Sequence, residues 1–123
     1  MIDIDEVEEI LDELAEELPQ KFYDELNGGI LLLPDVKYSP YARNNDLYIL
    51  GTYKRSASMG RLIEIYYGSF EKMFGWMDRE QLKEKLREVL RHEFRHHIES
   101  LAGERGLEIE DEKFINEYLN KRK

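Results

Sequence analysis

The chain has 123 residues, 41% of them hydrophobic and 37% charged, and a formal net charge of −9. This length suits one domain, which we predict to span residues 1–123, and the apolar content argues against intrinsic disorder. The acidic balance argues against nucleic-acid binding, because that affinity comes mainly from Lys and Arg contacts to phosphates. With no cysteine in the chain, any metal ion would be held by imidazole and carboxylate groups.

The apolar runs and the N-terminal residues bear on location. No apolar run approaches the roughly 18–20 residues that a membrane span requires. The acidic start, residues 1–6, differs from the basic start of a secretory signal. We therefore expect a cytoplasmic protein that does not contact membranes.

The first part of the chain is predicted to be helical. Apolar residues recur over residues 4–18 with the i, i+3, i+4, i+7 spacing of an amphipathic helix. Pro19 lies either at a break or in the first turn of a second short helix. That second helix would direct Phe22 and Leu26 into the core.

The middle of the chain is predicted to form a small sheet. Segments 30–33, 47–53 and 62–67 are rich in Ile, Leu and Tyr and are flanked by turn-forming residues, which is typical of strands. The polar connection 34–46 is expected to be a long loop.

A long helix is predicted near the C-terminus. Asp78 is a suitable N-cap with Gln81 as its reciprocal partner, and the helix should cover residues 79–102 and end at Gly103. A last amphipathic segment, 110–119, predicts a C-terminal helix. These elements together predict an α+β fold.

All three histidines lie on the long helix, in the pattern His92-Glu93-x-x-His96 followed by His97. Two imidazoles four residues apart lie one helical turn from each other, within reach of one Zn²⁺. Glu93, beside the first of them, can act as general base toward a zinc-activated water. Nitrogen and oxygen ligands also accept Mn²⁺, Ni²⁺ or Co²⁺.

A helical projection separates the roles of these side chains. At about 100° per residue, His92, His96 and Glu99 share a sector beside the apolar stripe, where a metal ion would face a cleft. Glu93 points inward, which an active-site base would explain. His97 falls within the apolar stripe, and we interpret it as a buried histidine hydrogen-bonded to backbone rather than as a ligand.

The spacing of the residues does not identify the third metal ligand. A catalytic zinc site commonly has three protein ligands and one open position. Glu99 is the first choice and Glu104 the second, followed by Glu108 or Asp111 after a turn at Gly103. If Glu99 is not a ligand, it is expected to orient His96.

The sequence resembles the zincin-like metallopeptidases, a family of small bacterial proteins also called minimal zincins. The resemblance rests on the string from Arg91 to His97, on the tail from Leu101 to Arg105 and on the acidic N-terminal helix, and it covers nearly the whole chain. It implies a small mixed sheet of three to four strands against the motif helix, zinc bound by His92 and His96, and Glu93 as base. Many relatives have Gly three residues after the second histidine, and this glycine ends their helix. This chain has Glu99 at that position, so its helix should continue past it.

The expected activity is therefore hydrolysis of peptide bonds in a peptide or protein substrate. Strand 62–67 would offer an edge to which the substrate adds, and Tyr66 or Tyr67 would offer a phenol to the oxyanion. A catalytically inactive metal-binding module acting through protein–protein interaction is the alternative. A globular protein without metal is a third interpretation.

Overall fold

The N-terminal helix packs its apolar stripe into the core. The computed structural model describes residues 1–41 and 47–105, and helix α1 covers Ile4–Glu16. Asp3 caps it by accepting a hydrogen bond from the Glu6 backbone N–H at 2.9 Å, which satisfies one of the unpaired donors of the first turn. After Pro19 the chain forms a short 3-10 helix, Gln20–Tyr23, which buries Phe22 completely. The predicted helix and the inward direction of Phe22 and Leu26 are confirmed.

Five strands follow in the described part of the chain, and they form two sheets. They are β1 (Gly29–Leu33), β2 (Lys37–Tyr38), β3 (Tyr48–Ile49), β4 (Gly51–Ser56) and β5 (Gly60–Tyr66). The larger sheet has the order β1-β5-β4, with β1 parallel and β4 antiparallel to the central β5. Strands β2 and β3 form a separate antiparallel pair. The larger sheet is therefore mixed.

The prediction of one strand over residues 47–53 is wrong, because the chain changes partners within it. β3 pairs with β2, and β4 pairs with β5. At the junction the Leu50 carbonyl accepts from the Tyr66 N–H at 3.0 Å. The expected loop 34–46 likewise contains β2, while residues 42–46 lie outside the described part. Periodicity reports which residues are apolar, and it carries no information on which strand each segment joins.

Two helices complete the described chain. α2 (Tyr67–Phe74) follows β5 directly, and α3 covers Arg79–Arg105. The predicted capping pair is confirmed, because the Gln81 N–H donates to Asp78 and the Asp78 N–H donates to Gln81, at 2.9 and 3.0 Å. The predicted end at Gly103 is wrong, since α3 continues through it to Arg105. The predicted C-terminal helix 110–119 lies outside the described residues.

The core lies between the sheet and the two long helices. Ile63 and Ile65, on one face of β5, join the buried stripes of α1 and α3 in a single cluster. The predicted α+β fold is thus confirmed in its N-terminal helix, small mixed sheet and long motif helix. Within residues 1–41 and 47–105, no helix is long and apolar enough to cross a membrane.

Candidate metal centre

His92 and His96 face each other on the exposed side of α3. Their Nε2 atoms lie 3.1 Å apart, and the ring planes are perpendicular with centroids 4.6 Å apart. Two imidazole nitrogens bound to one tetrahedral Zn²⁺ at ~2.0–2.1 Å would be about 3.3 Å apart. The distance is therefore close to that of two nitrogens on one zinc ion, and it also fits a hydrogen bond between the two rings.

Electrostatics also keep His92 available to a metal. Partial burial lowers the pKa of His92 below its ordinary value, and the neighbouring His96 and Arg95 lower this pKa further. A metal ligand must be the neutral imidazole. His92 therefore remains in its ligating form to lower pH than a free histidine would.

Glu93 points from α3 toward the sheet, as its helical angle predicts. It is only 6% exposed, and burial raises the pKa of its carboxyl, partly offset by His96 and by a backbone hydrogen bond from Tyr53. A buried carboxylate with a raised pKa takes up a proton more readily than an exposed glutamate does.

The strand beside Glu93 is β4, an outer strand of its sheet. The expectation that residues 62–67 form an edge is wrong, because β5 has β1 on one side and β4 on the other. In an antiparallel pair, alternate residues direct their backbone groups away from the partner strand. Tyr53 is such a residue, since its backbone hydrogen-bonds to Glu93. The edge that adjoins the histidine pair therefore belongs to β4.

Glu99, the first-choice third ligand, lies beside the other nitrogen of His96. Its Oε1 is 3.9 Å from Nδ1, whereas Nε2 of the same ring faces His92. This places the Glu99 carboxylate on the side from which it would orient His96. Among residues 1–41 and 47–105, no three His, Cys, Asp or Glu side chains form a group that could hold a metal ion. The side chain of Glu104, together with Glu108 and Asp111, lies outside the described part.

His97 has the structural role that its helical position predicts. It is fully buried, its Nε2 lies 2.8 Å from the Asp24 carbonyl oxygen, and its Nδ1 lies 2.9 Å from the Tyr53 hydroxyl. Because the carbonyl only accepts, Nε2 carries the proton and Nδ1 accepts from the tyrosine. Burial lowers the pKa of His97, which agrees with a neutral ring.

The network around His97 extends to Tyr53, Arg61 and Ser100, three residues that belong to no motif of the sequence. Arg61 is buried and donates from Nη1 to the Ser100 hydroxyl at 2.7 Å and to the Tyr53 hydroxyl at 3.2 Å. These bonds tie β4 and β5 to α3. The one feature of the sequence that could have pointed to this network is the charged Arg61, which directly precedes the apolar segment 62–67.

The tyrosines proposed for the oxyanion are engaged elsewhere. The Tyr66 hydroxyl donates to Glu64 at 2.8 Å, and the Tyr67 hydroxyl donates to the Ile2 carbonyl at 2.7 Å. On β5, Tyr66 lies on the opposite face from Ile63 and Ile65, which face the helices. The structure therefore gives neither phenol a place at the histidine pair.

A groove runs between α3 and the β3–β4 segment, with the histidine pair beside it. It consists of two adjoining cavities of about 370 and 740 Å³, which share Ile49, Gly51, His92 and Glu93. Fold and site together define an α+β protein with a histidine pair and a buried carboxylate at an open groove along an outer strand.

Comparison with known proteins places the chain in a family. A solved structure described as a conserved hypothetical protein from Thermo thermophilus is 33% identical to the chain, with a TM-score of 0.65. The alignment covers 83% of this chain and 99% of that one. The chain belongs to the same family as that protein. No protein-family model and no curated protein matches the chain.

Proposed function

We propose that the chain is a zinc-dependent metallopeptidase of the minimal-zincin type. The observation that carries this proposal is the pair of Nε2 atoms 3.1 Å apart on exposed His92 and His96, with buried Glu93 between them in sequence. The sequence resemblance to minimal zincins supports the same assignment. The groove along β4 supplies room for a substrate beside these groups.

His92 and His96 would hold the metal ion, and Glu93 would act as general base. Zinc, when bound, supplies Lewis-acid activation of water and of the peptide carbonyl. The Glu93 carboxylate accepts the proton of the attacking water and then donates it to the leaving amine. Its raised pKa, caused by burial, keeps the protonated form accessible for the second transfer. The hydrogen bond from the Tyr53 backbone orients the carboxylate on the sheet side of the groove.

The substrate would be an extended peptide segment along the outer edge of β4. Gly51 lies two residues before Tyr53 on β4, so its backbone groups also point away from β5. An extended peptide pairs with such an edge through main-chain hydrogen bonds, while side-chain pockets give selectivity. A peptide bound in this way would have a peptide bond beside His92 and Glu93, which line the same groove.

Metal content and hydrolysis, measured on matched variants, test the proposal. We expect about one zinc per wild-type chain at neutral pH, and loss of zinc in His92→Ala and in His96→Ala. Glu93→Gln should keep the zinc and lose at least ~100-fold in hydrolysis of a mixed peptide library, the usual contribution of a general base. No zinc in the wild type after zinc is added back, or undiminished hydrolysis by Glu93→Gln, would contradict the proposal.

The third ligand is resolved by the same measurement. We compare zinc affinity in Glu99→Ala and Glu104→Ala, followed by Glu108→Ala and Asp111→Ala. Loss of one metal–ligand bond lowers affinity more than loss of an orienting group, which costs roughly 10–100-fold. The Glu99 carboxylate lies on the Nδ1 side of His96. We therefore expect Glu99→Ala to lose less zinc affinity than the variant that removes the third ligand.

A catalytically inactive metal-binding module is the second candidate. It would bind the metal through His92 and His96 and act through protein–protein interaction. Zinc bound by the wild type, with no hydrolysis of any library peptide, would select this alternative.

A further inference from the structure

Tyr53 on β4 contacts two residues of α3 through two different groups. Its backbone hydrogen-bonds to the Glu93 carboxyl, and its side-chain hydroxyl lies 2.9 Å from Nδ1 of His97. Glu93 and His97 are four residues apart on α3, so they lie one turn apart on the same side of the helix. One residue of the strand therefore contacts both the candidate general base and the buried histidine.

The Tyr53 hydroxyl lies within a continuous series of hydrogen bonds. It accepts from Nη1 of Arg61 at 3.2 Å and donates to Nδ1 of His97, whose Nε2 donates to the Asp24 carbonyl oxygen at 2.8 Å. Arg61 also donates to the Ser100 hydroxyl at 2.7 Å. The phenol is thus held by β5, by α3 and, through His97, by the residue that follows the 3-10 helix.

β4 is an outer strand, and its position against α3 depends on few contacts. Its hydrogen bonds to β5 set its register, whereas its distance from α3 is set by the side chains packed between strand and helix. One such contact is at Gly51, where a Cβ atom would lie 3.0 Å from Cγ1 of Val89. The Tyr53 phenol, bonded to His97, provides another. Val89 and His97 are each four residues from Glu93, so Glu93 lies between the two contacts.

We propose that Tyr53 is a positioning residue for Glu93: the hydrogen bonds of its phenol fix β4 against α3, and its backbone N–H is thereby kept on the Glu93 carboxylate. This inference rests on the proposed function, in which Glu93 is the general base. His97 and Arg61 support this position by holding the phenol. Loss of the phenol contacts would displace the N–H from the carboxylate and leave every reacting group in place.

Amide hydrogen exchange tests this role without requiring catalysis. The measurement uses zinc-free, ¹⁵N-labelled protein at a single pH. In the wild type, the Tyr53 amide should exchange slowly although it points away from β5, because the Glu93 carboxylate accepts its hydrogen bond. Glu93→Ala should accelerate exchange at this amide by about 10-fold or more, as expected for a lost hydrogen bond to a charged group. Tyr53→Phe, which keeps the ring and removes the hydroxyl, should accelerate exchange at residue 53 to a similar extent.

Tyr67→Phe is the matched control for the loss of a phenol hydroxyl. The Tyr67 hydroxyl donates to the Ile2 carbonyl at 2.7 Å, and Tyr67 begins α2 rather than lying on β4. Both variants should lower thermal stability, but only Tyr53→Phe should accelerate the amide of residue 53 relative to the amides of β1. His97→Leu removes the acceptor of the same hydrogen bond, so it should reproduce the effect, and it replaces Tyr53→Phe if that variant unfolds.

Steady-state kinetics on one peptide that the wild type cleaves provide the second measurement. Tyr53→Phe should lower kcat by about 10-fold or more, since misplacement of a reacting group by about 1 Å can cost roughly 100-fold. KM should change by less than about twofold, because the β4 edge that pairs with the peptide keeps its backbone groups. The zinc content should be unchanged, and Tyr67→Phe should retain the kcat and KM of the wild type.

The outcomes separate this inference from the proposed function. If no peptide is cleaved but Tyr53→Phe and Glu93→Ala both accelerate exchange at residue 53, the peptidase proposal fails and the positioning of Glu93 by Tyr53 stands. If that amide exchanges equally fast in the wild type and in Glu93→Ala, the inference is overturned. It is also overturned if Tyr53→Phe and Tyr67→Phe change the amide alike, or if Tyr53→Phe keeps the kcat of the wild type.

Discussion

His96 and His97 are neighbours in the chain, yet their side chains lie in opposite environments. The His96 side chain is 50% exposed and faces His92, whereas His97 is fully buried. On a helix, consecutive residues point about 100° apart, so that one can face a groove while the next enters the core. Two identical residues in succession thus give one exposed imidazole and one imidazole in the core.

Alanine substitutions at the two histidines should have opposite consequences. His97→Ala should lower the free energy of unfolding by about 2–4 kcal/mol, because it leaves a cavity and removes the hydrogen bonds to Asp24 and Tyr53. His96→Ala should change the stability of the zinc-free protein by less than about 0.5 kcal/mol, as for other exposed positions. Urea unfolding of metal-free samples measures both. Equal losses in the two variants would contradict the assigned roles.

At the scale of single elements, α3 shows how a glycine can be misinterpreted. Glycine after an apolar stripe commonly ends a helix in a left-handed conformation, yet the positive-φ glycines of the described chain are Gly29 and Gly60. Gly103 lies within α3, and a Cβ built on it meets no atom within 4 Å. The expectation that the helix runs on past Glu99 is therefore confirmed, and the predicted end at Gly103 is not.

Gly103→Ala should stabilise the protein by about 0.5–1 kcal/mol, the usual gain from replacing a helical glycine. Gly60→Ala is the matched control, since its φ of +74° and the Asn27 Cβ at 3.2 Å make alanine unfavourable there. Thermal unfolding of both variants provides the comparison. A stability loss in Gly103→Ala would show that the residue caps the helix.

The strands illustrate a second limit at this scale. Segment 47–53 has the composition of one strand, but it is divided at Leu50 between two sheets. Composition defines a segment that can be extended, while hydrogen-bond partners distant in the chain decide where it pairs. The cavity beside His92 lies at this junction, since Ile49, Leu50 and Gly51 line it.

At the scale of the whole molecule, the burial of the Glu93 carboxyl makes stability depend on pH. Burial raises the pKa of Glu93 above its ordinary 4.5, so that between 4.5 and the raised pKa the folded state binds this proton more readily than the unfolded chain does. The contribution to stability is present below pH 4.5 and is lost as pH rises through the folded-state pKa. Above the raised pKa, the ionised carboxylate therefore destabilises the fold.

Glu93→Gln should increase the free energy of unfolding of the zinc-free protein by about 0.5–2 kcal/mol at pH ~7, the range typical of substitutions that relieve a functional strain. The increase should shrink as pH falls and vanish below the ordinary pKa of 4.5. Glu8→Gln, an exposed position on α1, is the control and should show no such pH-dependent gain. A gain that is independent of pH would mean that charge burial is not its cause.

The sequence alone determined the features that depend on neighbours close in the chain. The amphipathic α1, the capping pair of Asp78 and Gln81, the inward direction of Glu93 and the buried position of His97 all follow from helical periodicity and local hydrogen bonding. These interactions span at most a few turns, so that the order of residues specifies them.

Contacts between segments that are distant in the sequence became known only from the three-dimensional structure. It placed β5 at the centre of the sheet, gave β4 the outer edge, and brought the Tyr53 backbone to Glu93 and the Ile49–Leu50 segment to Val89. The physical reason is that strand pairing and core packing join residues far apart in sequence. The local sequence determines which face of a helix or strand is apolar. The packing of the entire chain determines which other element that face contacts.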